Sequence, residues 1–340
     1  MAAGNITDAE IIGRLKQMRL NRELDFINFS QQHLAQAEEN LNKALAAEIL
    51  FQQVVYFNHV TAEYEQSNRL AIICLDYASL VGNRTLQANT LRMLGVNYDA
   101  LGERRRARLV YDKGIALLEG RPDLTLEDKE ILAGIYFNIV SLYKELELNE
   151  QRQRFIDKAF KLFSELENKQ GIARCYIAYA NNIPDIKNSG LALEYYQLAA
   201  DIFAKINDQR GLGNSQIGIG YQHGLHGHFE EAMHNLQEGI KNLEACSNSF
   251  VAMQGYFNLA IVLRLQKRFD EAIDYLQQIE QTSLGYSPGM NKMFIYEEWA
   301  AALEEKGDYK QALVYQKKYQ QEREKAHEFD KDTAEPVAKR

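Results

Sequence analysis

One block of sequence recurs along most of this 340-residue chain at a nearly constant step, and a chain assembled from such copies folds as an array. Six copies align without gaps from Leu91, Tyr136, Tyr176, Gln216, Tyr256 and Tyr296, with a first step of 45 residues and 40 for each later one. One column holds Gly95, Val140, Ala180, Gly220, Ala260 and Ala300; three residues on come Tyr98, Tyr143, Ile183, His223, Leu263 and Leu303. A second small column is Ala107, Arg152, Ala192, Ala232, Ala272 and Ala312, followed after four residues by Tyr111, Ile156, Tyr196, Leu236, Leu276 and Gln316. Small residues at helical spacing let two helices approach closely, and the bulky residue one turn away fills the space beside them. Each copy therefore predicts two antiparallel helices.

The two halves of each copy are joined by "LGER", "ELELN", "IKNSG", "GLHGH", "LQKRF" and "EKGDY", short polar or glycine-containing stretches that suit helix-to-helix turns. A seventh unit precedes the six from about Gln52, with Ala71, Leu75 and Ala78 placed in the second-helix columns at a step of 36. Only four prolines interrupt the chain, so long helices are free to form.

The repeated small and bulky columns, with segments such as "KRFDEAIDYLQQI" and "GDYKQALVYQKKY", resemble the tetratricopeptide repeat family in a longer-period form. The resemblance implies an all-α, right-handed α-solenoid of about seven antiparallel helix pairs, whose first helices line a concave groove. Residues 1–45 fit none of the columns and read as an N-terminal helical cap; 46–325 form the array, and 326–340 are a charged tail or the start of a connection to a further domain.

A net charge of −8 disfavours a dedicated nucleic-acid binder, because neutralising phosphates needs a basic face. Three widely spaced cysteines, Cys74, Cys175 and Cys246, suit a reducing compartment better than a disulfide framework. No signal-peptide pattern and no membrane-length apolar run appears, so the expected location is cytoplasmic.

Column spacing projects a set of polar and aromatic side chains from the first helices into the groove. These are Asn89, Arg92, Lys144, Arg174, Asn181, Asn214, Tyr221, Phe257 and Arg264, with Gln53, Tyr56 and Glu63 in the unit before them. Amides pair with the backbone of an extended peptide and arginines with carboxylates, so the expected occupant is a peptide or protein segment of acidic character. An ordinary solvated face is the competing reading. The family's carboxylate-clamp pattern is not reproduced residue for residue.

Two other features invite a chemical reading. "ERRRAR" at 103–108 is the densest basic run, and as a turn and helix start it reads first as a solvated rim, with an acidic partner as the alternative. His223, His226 and His228 cluster within eight residues, yet in register with the other copies His223 falls in a packing column while His226 and His228 fall in a turn. No four-ligand metal spacing, phosphate loop, nucleophile elbow or zincin motif occurs, so the sequence predicts no metal, no cofactor and no catalytic residue.

Arrays of this type resemble the input regions of bacterial signalling proteins, including diguanylate cyclases and histidine kinases, which implies a non-catalytic interaction scaffold or sensor. The alternative resemblance is to Rap-type regulators of Gram-positive bacteria, which place a helical bundle before the repeats and are switched by peptides. Some of those dephosphorylate response regulators with a glutamine of the bundle, and Gln31, Gln32 and Gln36 lie in the corresponding region here without a motif match.

Overall fold

The structure, a computed structural model, describes residues 6–144, 149–183, 189–246, 249–283 and 292–333. Among these the chain forms sixteen helices and divides into two compact units, Met1–Leu166 and Glu167–Arg340. The first unit contains α1 (Asp8–Leu20), α2 (Phe26–Glu39), α3 (Lys43–His59), α4 (Tyr64–Leu80), α5 (Arg84–Ala100), α6 (Arg104–Leu118), α7 (Leu126–Lys144) and α8 (Asn149–Glu165). The second contains α9 (Lys169–Ala180), α10 (Ser189–Lys205), α11 (Gln209–Leu225), α12 (Phe229–Ala245), α13 (Ser249–Leu265), α14 (Phe269–Ser283), α15 (Lys292–Lys306) and α16 (Tyr309–Thr333). From α3 onward the helices form seven pairs.

The turns explain why helices start and stop where they do. A helix ends on a residue in the left-handed region, and the next residue or two cap the following helix. Within pairs that residue is Gly102, Gly227 or Gly307, with φ of 77°, 79° and 91°, where glycine takes the conformation without a Cβ penalty, and Ala62 or Lys267, with φ of 57° and 63°, in the other two described turns. The Glu103 amide then reaches back to the Tyr98 carbonyl at 2.7 Å, and His228 does the same to His223 at 2.9 Å. Between pairs, Asn42, Asn83, Asn168 and Asp208 accept the amides of Leu45, Leu86, Gly171 and Gly211 at 2.8–3.1 Å. Each such cap is worth about 1 kcal/mol. The turns read as "ELELN" and "IKNSG" fall largely outside the described residues.

Both small columns lie at helix crossings and are buried throughout the six aligned copies, including Arg152, which is 5% exposed. A Cβ on Gly95 would come within 2.2 Å of the Tyr111 ring, so the large residue of one helix occupies the gap left by the small residue of its partner. The seventh unit needs a correction. Ser67, forty residues before Ala107, is the residue that starts the second-helix column, and Ala71 sits one turn later where later copies carry Tyr111 and Ile156. Ser67 is fully buried, and its hydroxyl donates to the Val54 carbonyl at 2.9 Å, so it takes the close-approach position of alanine. The step there is 40, not 36.

Within each unit, first helices pack on successive first helices: α3 on α5 and α5 on α7, then α9 on α11, α11 on α13 and α13 on α15. Second helices pack on the first helices to either side. The first helices therefore form one layer of each unit and the second helices the other. No helix among the described residues is long and apolar enough to cross a membrane.

Candidate binding face

In the first unit the inner face begins at α5, not at α3. The N-terminal pair α1 and α2 packs on α3 and takes its inner positions: Tyr56 stacks on Phe26 with ring centroids 4.3 Å apart, and Gln53 donates to the Ser30 hydroxyl at 2.9 Å. Gln53 and Tyr56 are consequently core residues and not groove residues. Glu63 remains exposed. Beneath them Asn58, Asn97 and Ser67 are buried and form a network with the half-buried Asn68, in which the Asn97 side chain donates to the Ser67 hydroxyl at 2.8 Å and to the Asn68 Oδ1 at 2.9 Å.

On α5, Arg92 and Asn89 come together one turn apart. The guanidinium donates through both Nε and Nη2 to the Asn89 side-chain oxygen, at 3.1 and 2.9 Å. Its stem lies along α7 at Gly134, where a Cβ would stand 3.2 Å from the arginine Cδ. Burial lowers the pKa of this group, against the opposing influence of Tyr111 and Glu130. Lys144, read from the sequence as a neighbour on the same face, has its side chain outside the described residues.

In the second unit Arg174 and Asn181 are exposed on α9, and Asn181 accepts the Tyr196 hydroxyl at 2.6 Å. Asn214 and Tyr221 on α11 and Phe257 on α13 are half-buried. Arg264 is held by ion pairs within its own unit. Its Nε donates to Glu298 and its Nη1 to Glu305, both on α15, and these carboxylates raise its pKa although burial opposes them. Its charge is already met inside the unit. The nearby Tyr221 phenol is pushed up by burial and by Glu298. Sequence reasoning passed over Glu298, Glu305 and Gly134. The signal for the first two was present, since both stand about one repeat beyond Arg264, where a first helix meets the next.

The remaining sequence features resolve locally. In "ERRRAR", Arg106 pairs with Glu103 at 2.8 Å and lies over the Tyr98 ring, while Arg108 pairs with Asp112 at 2.8 Å. These are surface pairs of small energetic weight. His226 has a structural reason to be in its turn, because its Nδ1 lies 2.7 Å from the Gln222 carbonyl at the end of α11 and caps that helix. His223 is only half-buried, its Nδ1 has no hydrogen-bond partner, and burial next to His228 lowers its pKa. Among the described residues no three histidine, cysteine or acidic side chains are grouped to hold a metal. Gln31, Gln32 and Gln36 are all exposed on α2.

These features define the class: an all-helical array of antiparallel pairs with a tetratricopeptide-like fold and a helical N-terminal pair. No family model matches the chain, and no curated protein matches it in sequence. Solved structures do match in fold. A Rap protein complexed with Competence and Sporulation Factor superposes with a TM-score of 0.66 at 13% identity, over 94% of this chain and 87% of that one. The apo form of RapI gives 0.61 at 14% identity, covering 94% and 98% of the two chains. Aspartyl phosphate phosphatase F from Bacillus subtilis gives 0.51 at 15% identity, with 95% of each chain covered.

Proposed function

We propose that this chain is a protein-interaction module of bacterial signalling that binds a peptide or a segment of a partner protein on the inner face of its first helices. The observation that carries this reading is the packing of successive first helices within each unit, and the residues assigned to the binding face in it are Asn89 and Arg92 on α5, Asn181 at the end of α9, Asn214 and Tyr221 on α11 and Phe257 on α13. Amides can pair with the backbone of an extended segment while aromatic side chains take its apolar groups. The partner is acidic in this reading, and Arg174 and Arg92 are the cations that meet it. Three cysteines without a disulfide support action in a reducing cytoplasm. The test is panning a random pentapeptide display library on the full chain, followed by calorimetry of the enriched peptides. Enrichment that survives Asn181→Ala and Asn214→Ala unchanged would sink the assignment of this face.

A second reading is a peptide-governed switch acting on a response regulator. It is favoured by the share of the chain that superposes, since 94% coverage of 340 residues leaves too few outside for both α1 and α2 to be omitted, and by the fact that one similar structure is an aspartyl phosphate phosphatase. A dephosphorylation assay on phosphorylated response regulators separates the two. A scaffold leaves the rate unchanged, whereas a switch raises it and loses the effect in one of Gln31→Ala, Gln32→Ala or Gln36→Ala.

A further inference from the structure

We propose that Arg92 and Asn89 form the receptor for a carboxylate carried by the bound segment, and that Arg264 takes no part in it. This rests on the inner-face binding reading above and names the group that the face recognises.

The donor count comes first. A guanidinium has five N–H groups. Asn89 accepts two of them from Arg92, and no carboxylate of the described residues lies at ion-pair distance, so one N–H on Nη2 and both on Nη1 remain. Those three donors form the end of the fork, which matches the two oxygens of a carboxylate. Asn89 is a neutral acceptor, and it fixes the orientation of the fork without cancelling its charge. The position is also shaped for this. Gly134 stands in the same repeat column as Asn89, Arg174, Asn214 and Gln254, and it alone brings no side chain to that point of the face. The Arg92 stem occupies the room so left. Behind it Tyr111 is 1% exposed and seated against Gly95, so the wall is rigid.

A cation held away from water beside a neutral amide is costly, and an arriving anion offsets that cost. Arg264 offers no such gain, because Glu298 and Glu305 already occupy its fork. Glu130 is the group within the first unit that competes: it is exposed on α7, acts on Arg92 through space, and makes no ion pair with it. Removing its charge strengthens the site.

The experiment uses the full chain with isotopically labelled arginine and follows the Nε–Hε resonances by NMR at constant ionic strength. Acetate and inorganic phosphate are the probes, and sodium chloride is the reference. The Arg92 signal, assigned by its loss in Arg92→Lys, is expected to shift saturably with acetate and to do so at several-fold lower acetate in Glu130→Gln, while the Arg264 signal stays fixed. In the pentapeptide library the expected result is an Asp or Glu at one position, with the preference reduced at least tenfold in Arg92→Gln. Should Arg92→Gln fail to fold, Arg92→Lys, which keeps the charge and loses the fork, is expected to give the same reduction. An Arg92 signal that moves no more with acetate than with chloride overturns the proposal, and so does tenfold tighter binding of phosphate than of acetate. Peptides enriched equally by wild type and the Arg92 variants, without an acidic position, overturn the receptor and leave the binding reading in place. An Arg92 signal that titrates while no peptide is enriched upholds the receptor and removes the binding reading.

Discussion

Arg92 and Arg264 occupy first helices of the same repeat type, one in each unit, and the structure gives them opposite electrostatic settings. Arg264 reaches across to α15 and finds two carboxylates; Arg92 reaches toward α7 and finds a glycine, with the Asn89 amide as its bonded acceptor among the described residues. The two stand at different positions of the repeat, Arg92 one residue after the start of its copy at Leu91 and Arg264 eight residues after the start of its copy at Tyr256. Each lies against the next first helix of its unit, and the residues presented there decide whether an arginine is neutralised within the fold. A buried ion pair is strongly felt when broken, whereas an amide acceptor holds a cation with less energy and leaves its charge intact.

The largest effect that tests this contrast is on the wall behind Arg92. Tyr111→Ala empties the space against Gly95 and is expected to cost ~3–5 kcal/mol. Each unit carries its own reporter, since Cys74 and Cys175 are buried and both thiols are pushed up to about 12 by burial, while Cys246 is exposed. In a Cys246→Ser background, thiol labelling along a urea series should bring Cys74 to lower urea and leave Cys175 in place. If both cysteines move together, the two units open as one and the unit-by-unit comparison breaks.

Next in size is the Arg264 clamp. Glu298→Ala leaves a half-desolvated guanidinium with one carboxylate fewer and is expected to cost ~2 kcal/mol, read from the same urea series at Cys175. It should also make the Arg264 resonance sensitive to acetate, bringing it closer to Arg92 in behaviour. The matching change on the other side, Asn89→Ala, removes a neutral acceptor and is expected to cost only ~1 kcal/mol at Cys74. A cost equal to that of Glu298→Ala would erase the distinction.

The smallest effect is a pH dependence confined to the second unit. The Tyr256 hydroxyl donates to Glu244 at 2.6 Å, and burial, followed by this carboxylate, pushes the phenol up to about 12 from 10. Because the folded pKa is the higher one, the stabilisation is complete below pH ~10 and is lost as pH rises toward 12. The difference in stability between wild type and Tyr256→Phe, measured from pH 9 to 12 at Cys175, should therefore shrink with rising pH, with Cys74 in the first unit showing no difference between the two proteins.

Much of this molecule was legible beforehand because helix crossings repeat. Gly95, Ala192, Ala232 and Ala272 recur where two backbones meet, and the bulky residue four beyond the second column recurs beside them, so pair boundaries followed from spacing. Ser67 was missed for a physical reason: serine meets the steric demand of that position as alanine does, but Ala71 offered a better chemical match one turn later. Gln53 and Tyr56 were misplaced because α2, which covers them, belongs to no repeat and leaves no mark in the columns.

The sequence by itself determined the helix pairs, their turns and the buried columns, because amphipathic periodicity, left-handed turn residues and caps act over a few residues and are written locally. The tertiary structure decided which of the projected side chains are still free to recognise anything. Whether Arg92 or Arg264 is neutralised, and whether the α3 face is open or covered, depends on distances between helices about forty residues apart in sequence. Those distances are set by how small and bulky side chains interlock at each crossing, and no single copy of the repeat contains both sides of that contact.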